Sequence, residues 1–264
     1  MEAVQVEYEL GVPLDQIPAA MPFATGKDML NLLGILGRLE QFRDDKPRQV
    51  DWRLLGTNGN RVALRSASEP DVATRAALSL VRGFAEAEEQ PKVPSHWSVQ
   101  AASLAKSVAA RLGDTVDTGM RLSISGPEPI ESQVTRRAQR HLQLATALRF
   151  TGYGSVTGVL GRVTAYKGRR AALWSDLDGR RVEVRFGEHH IEDMRNAWAR
   201  QHVEVTGVVH ENSEGQVLRV DMDSLRVLDG QTLIISEALP SGFYPELTGG
   251  KSTAEFLRAI RGDE

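Results

Sequence analysis

The residues most suggestive of chemistry stand near the end of the sequence, where Gly249-Gly250-Lys251-Ser252-Thr253 sets a Gly-Lys-Ser triplet ahead of a helical stretch. A helix N-terminus behind such a loop can hold phosphate. The spacing fails that reading, because the first glycine of a P-loop would fall at Pro245 and no strand runs directly into the loop. The pair Gly249-Gly250 reads as a turn, with Ser252 or Thr253 as an N-cap, and Thr25-Gly26-Lys27-Asp28 fails in the same way. The 6 histidines include the adjacent pair His189-His190, which point apart on an extended chain, and His202 and His210 on one exposed strand face. No His-Glu-x-x-His pattern supplies a metal site. Asp176 and Asp178 flank an Asp-Leu-Asp-Gly turn, which is ordinary turn chemistry. Asp221 and Asp223 share the outer face of a strand and repel unless Arg219 or Arg226 offsets them. No nucleophile, base and orienting group stand in a recognisable order, so the expectation is no catalysis, no cofactor and no metal.

Binding residues are easier to find. Residues 162–185 hold 7 basic side chains against 3 acidic ones, with Tyr166 and Trp174 among them. A single-strand nucleic-acid site would use Tyr166, Lys167, Arg169, Arg170, Trp174, Arg181 and Arg185, each stacked base being worth roughly 1–3 kcal/mol. Residues 187–229 reverse the balance, with 9 acidic residues against 4 arginines. A phosphate backbone crossing both regions would meet repulsion on one side, whereas a dipolar surface suits a protein partner of complementary charge. Near the end, Phe256, Leu257 and Ile260 form one apolar helix face beside Arg258, a surface fit to lie in a partner's groove.

The elements that position these residues follow from periodicity. Alternation predicts strands over residues 4–10, 50–55, 61–65 and 120–125, the middle two joined by an Asn58-Gly59 hairpin turn. Helices are predicted from Asp28 as N-cap through Leu39, from Ser68 and Pro70 to Phe84, over 98–112, and over 131–148. Gly34 and Gly37 inside the first of these would mark a close contact between helix and sheet. Residues 11–22 read as irregular linker and 126–129 as punctuation. Beyond them come runs at 155–166, 171–175 and 181–186, a helix over 191–200, and runs at 202–210 and 216–227. Val182, Val184 and Phe186 alternate with Arg181, Glu183 and Arg185, so one face of that strand is core and the other wet. Gly158 and Gly161 suit the coiling of a small barrel, and Ile191, Met194 and Trp198 would plug it.

The fold class expected is therefore an α+β N-terminal domain followed by an all-β, OB-like five-stranded barrel with one helix between strands 3 and 4. Residues 1–126 form the α+β domain with an antiparallel sheet, 127–152 a connecting helix, 153–229 the barrel, and 230–264 a linker and C-terminal partner-binding helix. The whole chain of 264 residues carries a net charge of -3 and has no cysteine. That excludes disulfides and thiolate chemistry, gives no global attraction to nucleic acid, and fits a cytoplasmic setting. No run approaches the length of a membrane span.

The stretch from Tyr153 onward resembles a family of bacterial proteins with no assigned biochemical role. Gly154-Ser155-Val156-Thr157-Gly158-Val159-Leu160, Gly179-Arg180-Arg181-Val182 with Phe186, and Val205-Thr206-Gly207-Val208-Val209 carry the resemblance. So does the tail Leu247-Thr248-Gly249-Gly250, Ser252, Glu255-Phe256-Leu257-Arg258. Members look like accessory genes, some beside toxin–antitoxin or defence genes. The resemblance implies a non-enzymatic accessory or adaptor protein, antitoxin-like or defence-associated, that binds a protein partner such as a toxin or defence effector through its tail. The alternative from the residues is single-stranded nucleic-acid binding by the basic half of the barrel.

Overall fold

Alternation in the opening residues produces a strand, β1 (Gln5–Leu10), that buries Val6, Tyr8 and Leu10 and leaves the residues between them at the surface. The computed structural model describes residues 3–12, 20–43, 50–125, 130–164, 168–197 and 202–228. All of them belong to one unit, Met1–Leu228, and Asp229–Glu264 form a second unit outside the described residues. β1 lies at the middle of an antiparallel sheet ordered β2-β3-β1-β4-β5, where β2 is Trp52–Asn58, β3 Arg61–Ser66, β4 Met120–Ser125 and β5 Ile130–Val134. Helices α1 (Ala20–Arg43), α2 (Pro70–Glu89) and α3 (Val99–Ala109) add Leu32, Leu36, Ala76, Leu80, Phe84 and Ala105 to the core beneath this sheet.

Three local expectations are corrected. Helix α1 starts at Ala20 rather than after Asp28, with Pro22 in its first turn, where a missing N–H costs nothing. Asp28 is then free to pair with Arg111 beyond the end of α3. Residues 130–134 form strand β5 rather than helix, and α4 (Arg136–Ala145) begins only after Thr135. That cap is built from afar: Thr135 accepts from the Arg137 N–H, while the Glu88 carboxylate accepts from the N–H groups of Thr135 and Ala138. The tight helical glycine is also a different one. A Cβ at Gly37 would make ordinary contact with Val50, whereas one at Gly83 in α2 would lie 2.2 Å from the Trp97 ring. Trp97 packs edge-on to Phe84 and donates its Nε1–H to the Ser79 carbonyl.

Five strands close a barrel in the order β10-β8-β7-β6-β9. They are β6 (Phe150–Thr164), β7 (Arg170–Ser175), β8 (Arg181–Arg185), β9 (His202–Glu211) and β10 (Val217–Val227). The β10–β8 pair is parallel and the rest are antiparallel. Leu160, Leu173, Val184, Val205 and Val220 fill the interior. Short helix α5 (Ile191–Asn196), between β8 and β9 in the chain, adds Met194 to that core, and Trp198 lies outside the described residues. Closure rests on glycines: a Cβ at Gly158 would meet the Trp174 carbonyl at 2.0 Å, and one at Gly207 the Asp221 carbonyl at 2.2 Å. The β6–β7 register slips between Leu160 and Val163, the stretch holding Gly161.

The barrel is stapled to the α+β part by a buried polar clip in the β9–β10 turn. Asn212 donates to the Ala145 carbonyl at 3.0 Å and to Gln216 Oε1 at 2.8 Å, and accepts from the N–H groups of Glu214 and Gln216. Gln216 in turn bonds both backbone groups of Val93, which lies between α2 and α3. Leu218 of β10 is buried in the α+β core rather than in the barrel.

Candidate functional site

The outward-facing residues of β7 and β8 are Arg170, Ala172, Trp174, Arg181, Glu183 and Arg185, since Ala171, Leu173, Val182 and Val184 point into the barrel. This face is partly covered. Ala172 is only 3% exposed, and Trp174 is half-buried against the α+β core. What stays open is a cleft of about 480 Å³ walled by Arg170, Arg181 and Glu183 on one side and by Ser98, Val99 and Gln100 at the start of α3 on the other. Ser98 is the N-cap of α3, accepting from the Ala101 N–H. Glu183 is shared: it accepts from Arg185 Nε at 2.8 Å and lies 3.6 Å from Arg170.

The residues expected to bind nucleic acid therefore scatter. Arg170 and Arg181 meet in the cleft, and Arg185 flanks it through Glu183. Arg169 pairs with Glu188 at 2.9 Å. Trp174 packs on the core and offers no open stacking platform. Tyr166 and Lys167 lie outside the described residues, as do the expected tail contacts Phe256, Leu257, Arg258 and Ile260.

A second surface forms where β6, β9 and β10 adjoin. Tyr153 is 69% exposed and stands opposite Val208 in the β6–β9 register, while Leu148 and the 58% exposed Phe150 lie where the chain leaves α4 for β6. Carboxylates surround them. Tyr153 donates to Asp223 at 2.9 Å, and that hydrogen bond holds the phenol above its ordinary pKa. Asp221 accepts from Arg219 Nη2 at 3.2 Å and lies 2.7 Å from His210 Nε2, and Thr151 reaches His210 Nδ1 at 3.2 Å. The repulsion expected between Asp221 and Asp223 is thus relieved by Arg219 at one and Tyr153 at the other, while Arg226 pairs with Glu204. Thr151, His210 and Asp221 stand in the order of a relay, but Arg219 donates to the same Asp221 oxygen and lies 2.9 Å from His210 Nε2, competing with Asp221 for that nitrogen, so the group is a charge network. The Tyr153–Asp223 and Thr151–His210 pairs come from cross-strand register, which the runs read singly do not display.

Among the described residues no group of three or more His, Asp or Glu side chains could hold a metal ion. No described helix is long and apolar enough to cross a membrane. Comparison of the chain with protein-family models, with curated proteins and with solved structures finds no match.

Proposed function

We propose that this chain is a non-enzymatic adaptor that binds a basic segment of a protein partner, in the accessory, antitoxin-like or defence-associated setting its sequence resembles. The observation that carries the proposal is the surface of Phe150, Tyr153 and Val208, groups left in solvent with Asp223 hydrogen-bonded to Tyr153 and Asp221 opposite Val208 in the strand register. Exposed aromatic groups with an acidic rim fit a partner that buries apolar side chains and brings positive charge. The C-terminal residues Phe256, Leu257, Arg258 and Ile260 would add a second contact. An OB-like reading of the barrel is supported by its strand order, by the parallel β8–β10 pair and by α5 falling between β8 and β9 in the chain.

The test is recovery of partners from the native cell by the full chain, by the double variant Tyr153→Arg with Val208→Lys, and by a chain cut before Gly249. Recovery of a basic partner that falls with salt, and is lost in the double variant, is expected; equal recovery by all three chains would refute the reading. Single-stranded nucleic acid is the second reading. It draws on the three arginines against one glutamate along β7 and β8, but the covered Ala172 and Trp174 shorten any track a strand could follow. Oligonucleotide binding that weakens steeply with salt and with Arg169→Ala plus Arg170→Ala is its signature.

A further inference from the structure

We propose that the edge of β6 from Tyr153 to Thr157 receives an extended, basic segment of a protein partner as an added β-strand, a mode of docking that rests on the partner-binding reading above. The direction of the backbone shows which groups are offered. β9 pairs with β6 as far back as Phe150, whereas β7, on the other side, joins it only from Gly158 onward. The Thr157 carbonyl accepts from the Asp176 N–H in the β7–β8 turn, so it points away from β9. Backbone groups alternate in the side to which they point, and those of Ser155 and Tyr153 are therefore turned the same way. They lie in solvent: Tyr153, Ser155 and Thr157 are all exposed, and Leu177, in the turn at the far end of the edge, is 92% exposed.

Two glycines of this stretch are not required by the fold. Gly158 and Gly207 are needed for closure, but a Cβ at Gly152 would meet nothing within 4 Å, and one at Gly154 would make only ordinary contact with Val209 at 3.5 Å. Neither takes a left-handed backbone conformation. Glycine inside a strand weakens it, and it marks a place where another backbone comes close. An incoming strand supplies that backbone.

Charge selects the occupant. Arg149 and Glu211 stand with opposite sign at the start of the β6–β9 pair, Asp221 is engaged by Arg219, and Asp178 by Arg180. Asp223, by contrast, takes the neutral Tyr153 hydroxyl, and Asp176 lies against His202. Lysine or arginine on the incoming strand would answer these carboxylates, whereas a second copy paired edge to edge would bring its own to them.

The probe is a capped octapeptide of alternating lysine and valine, titrated into the full chain at low ionic strength and followed by fluorescence anisotropy and hydrogen exchange. It should bind about tenfold or more tighter than its glutamate–valine counterpart and should slow exchange of the Tyr153 and Ser155 amides, which are fast in the free chain. Ser155→Pro removes an edge donor and keeps the alternate bonds to β9, since proline is tolerated on an open strand edge; it should weaken the peptide about tenfold or more. If that variant fails to fold by circular dichroism, the octapeptide N-methylated at every residue keeps the test intact, and it should not bind. Undiminished affinity in folded Ser155→Pro, binding of the N-methylated peptide, parity with the glutamate peptide, slow exchange of both amides in the free chain, or no binding overturns the proposal. So does a dimer of the full chain that Ser155→Pro dissolves. Peptide binding that is lost in the double variant Tyr153→Arg with Val208→Lys but kept in Ser155→Pro removes the added strand and leaves the partner-binding surface standing.

Discussion

Removing the Asn212 side chain should loosen the barrel from the α+β part, and the cost can be worked from its contacts. Asn212 is fully buried and makes four hydrogen bonds, two as donor and two as acceptor. In Asn212→Ala, water can reach the Glu214 N–H, because that bond is only partly buried. The Ala145 carbonyl and the Gln216 N–H are buried and lose the partner Asn212 gave them. Two such groups at about 1–3 kcal/mol each give roughly 2–6 kcal/mol. For a unit of this size each kcal/mol lowers Tm by about 2–4 °C, so even the low end predicts a fall of roughly 4–8 °C. Calorimetry on the wild type should show one transition through Leu228, and the variant should show an earlier or divided one. Asn212→Asp separates the contributions, since it keeps both accepted bonds and loses both donated ones. It also buries a carboxylate, so it should recover stability as pH falls and that group is protonated. An Asn212→Ala chain that melts within about 2 °C of wild type, in one transition, would refute the view that this clip holds the two parts together.

Gly83→Ala should destabilise the chain by about 1–3 kcal/mol despite raising helix propensity, because the new Cβ would drive into the Trp97 ring; urea titration followed by tryptophan fluorescence measures it, and a neutral or stabilising result contradicts the packing. Alkaline pH supplies a second check. Burial raises the Tyr8 pKa, against a smaller lowering by Arg111, so its neutral form favours the folded state. That stability is whole below the unfolded value near 10 and is lost as pH rises beyond it, at up to about 1.4 kcal/mol per pH unit. Urea titrations at increasing pH above 10 should therefore show a shallower decline in Tyr8→Phe than in wild type, although the variant starts lower for want of the bond to the Pro22 carbonyl; equal slopes would refute the assignment.

How much of this was legible depended on whether the determining contact was local. β8, β9 and β10 could be read because one face of each is buried and the other wet, so Val182-Val184 and Val203-Val205 announce their phase. The start of β6 was hidden because Gly152 and Gly154 interrupt the alternation through Phe150 and Tyr153. Residues 131–134 of β5 share the helical spacing of the residues after them, so the pattern alone predicts helix there. What stops the helix at Thr135 is Glu88, 47 residues away in the chain, and no local pattern carries that information. Of the cleft, Arg181 could be placed on the outer face of its strand, whereas Arg170 falls outside the run at 171–175 and the wall from α3 belongs to tertiary structure alone.

Trp174 shows why a barrel's shape does not fix its use. On an isolated barrel its ring would be the natural platform for a base, and its basic neighbours would complete a groove. Here that ring packs on the α+β core, and Ala172 beside it is covered too. Docking on a hydrophobic core offsets the exposure of a large aromatic surface, but it also closes the track a polymer would need. Arg170 and Arg185 on that face remain exposed, and beside Arg170 and Arg181 the start of α3 walls a cleft. The β6–β9 surface, by contrast, keeps Phe150, Tyr153 and Val208 in solvent, with Asp223 hydrogen-bonded to Tyr153.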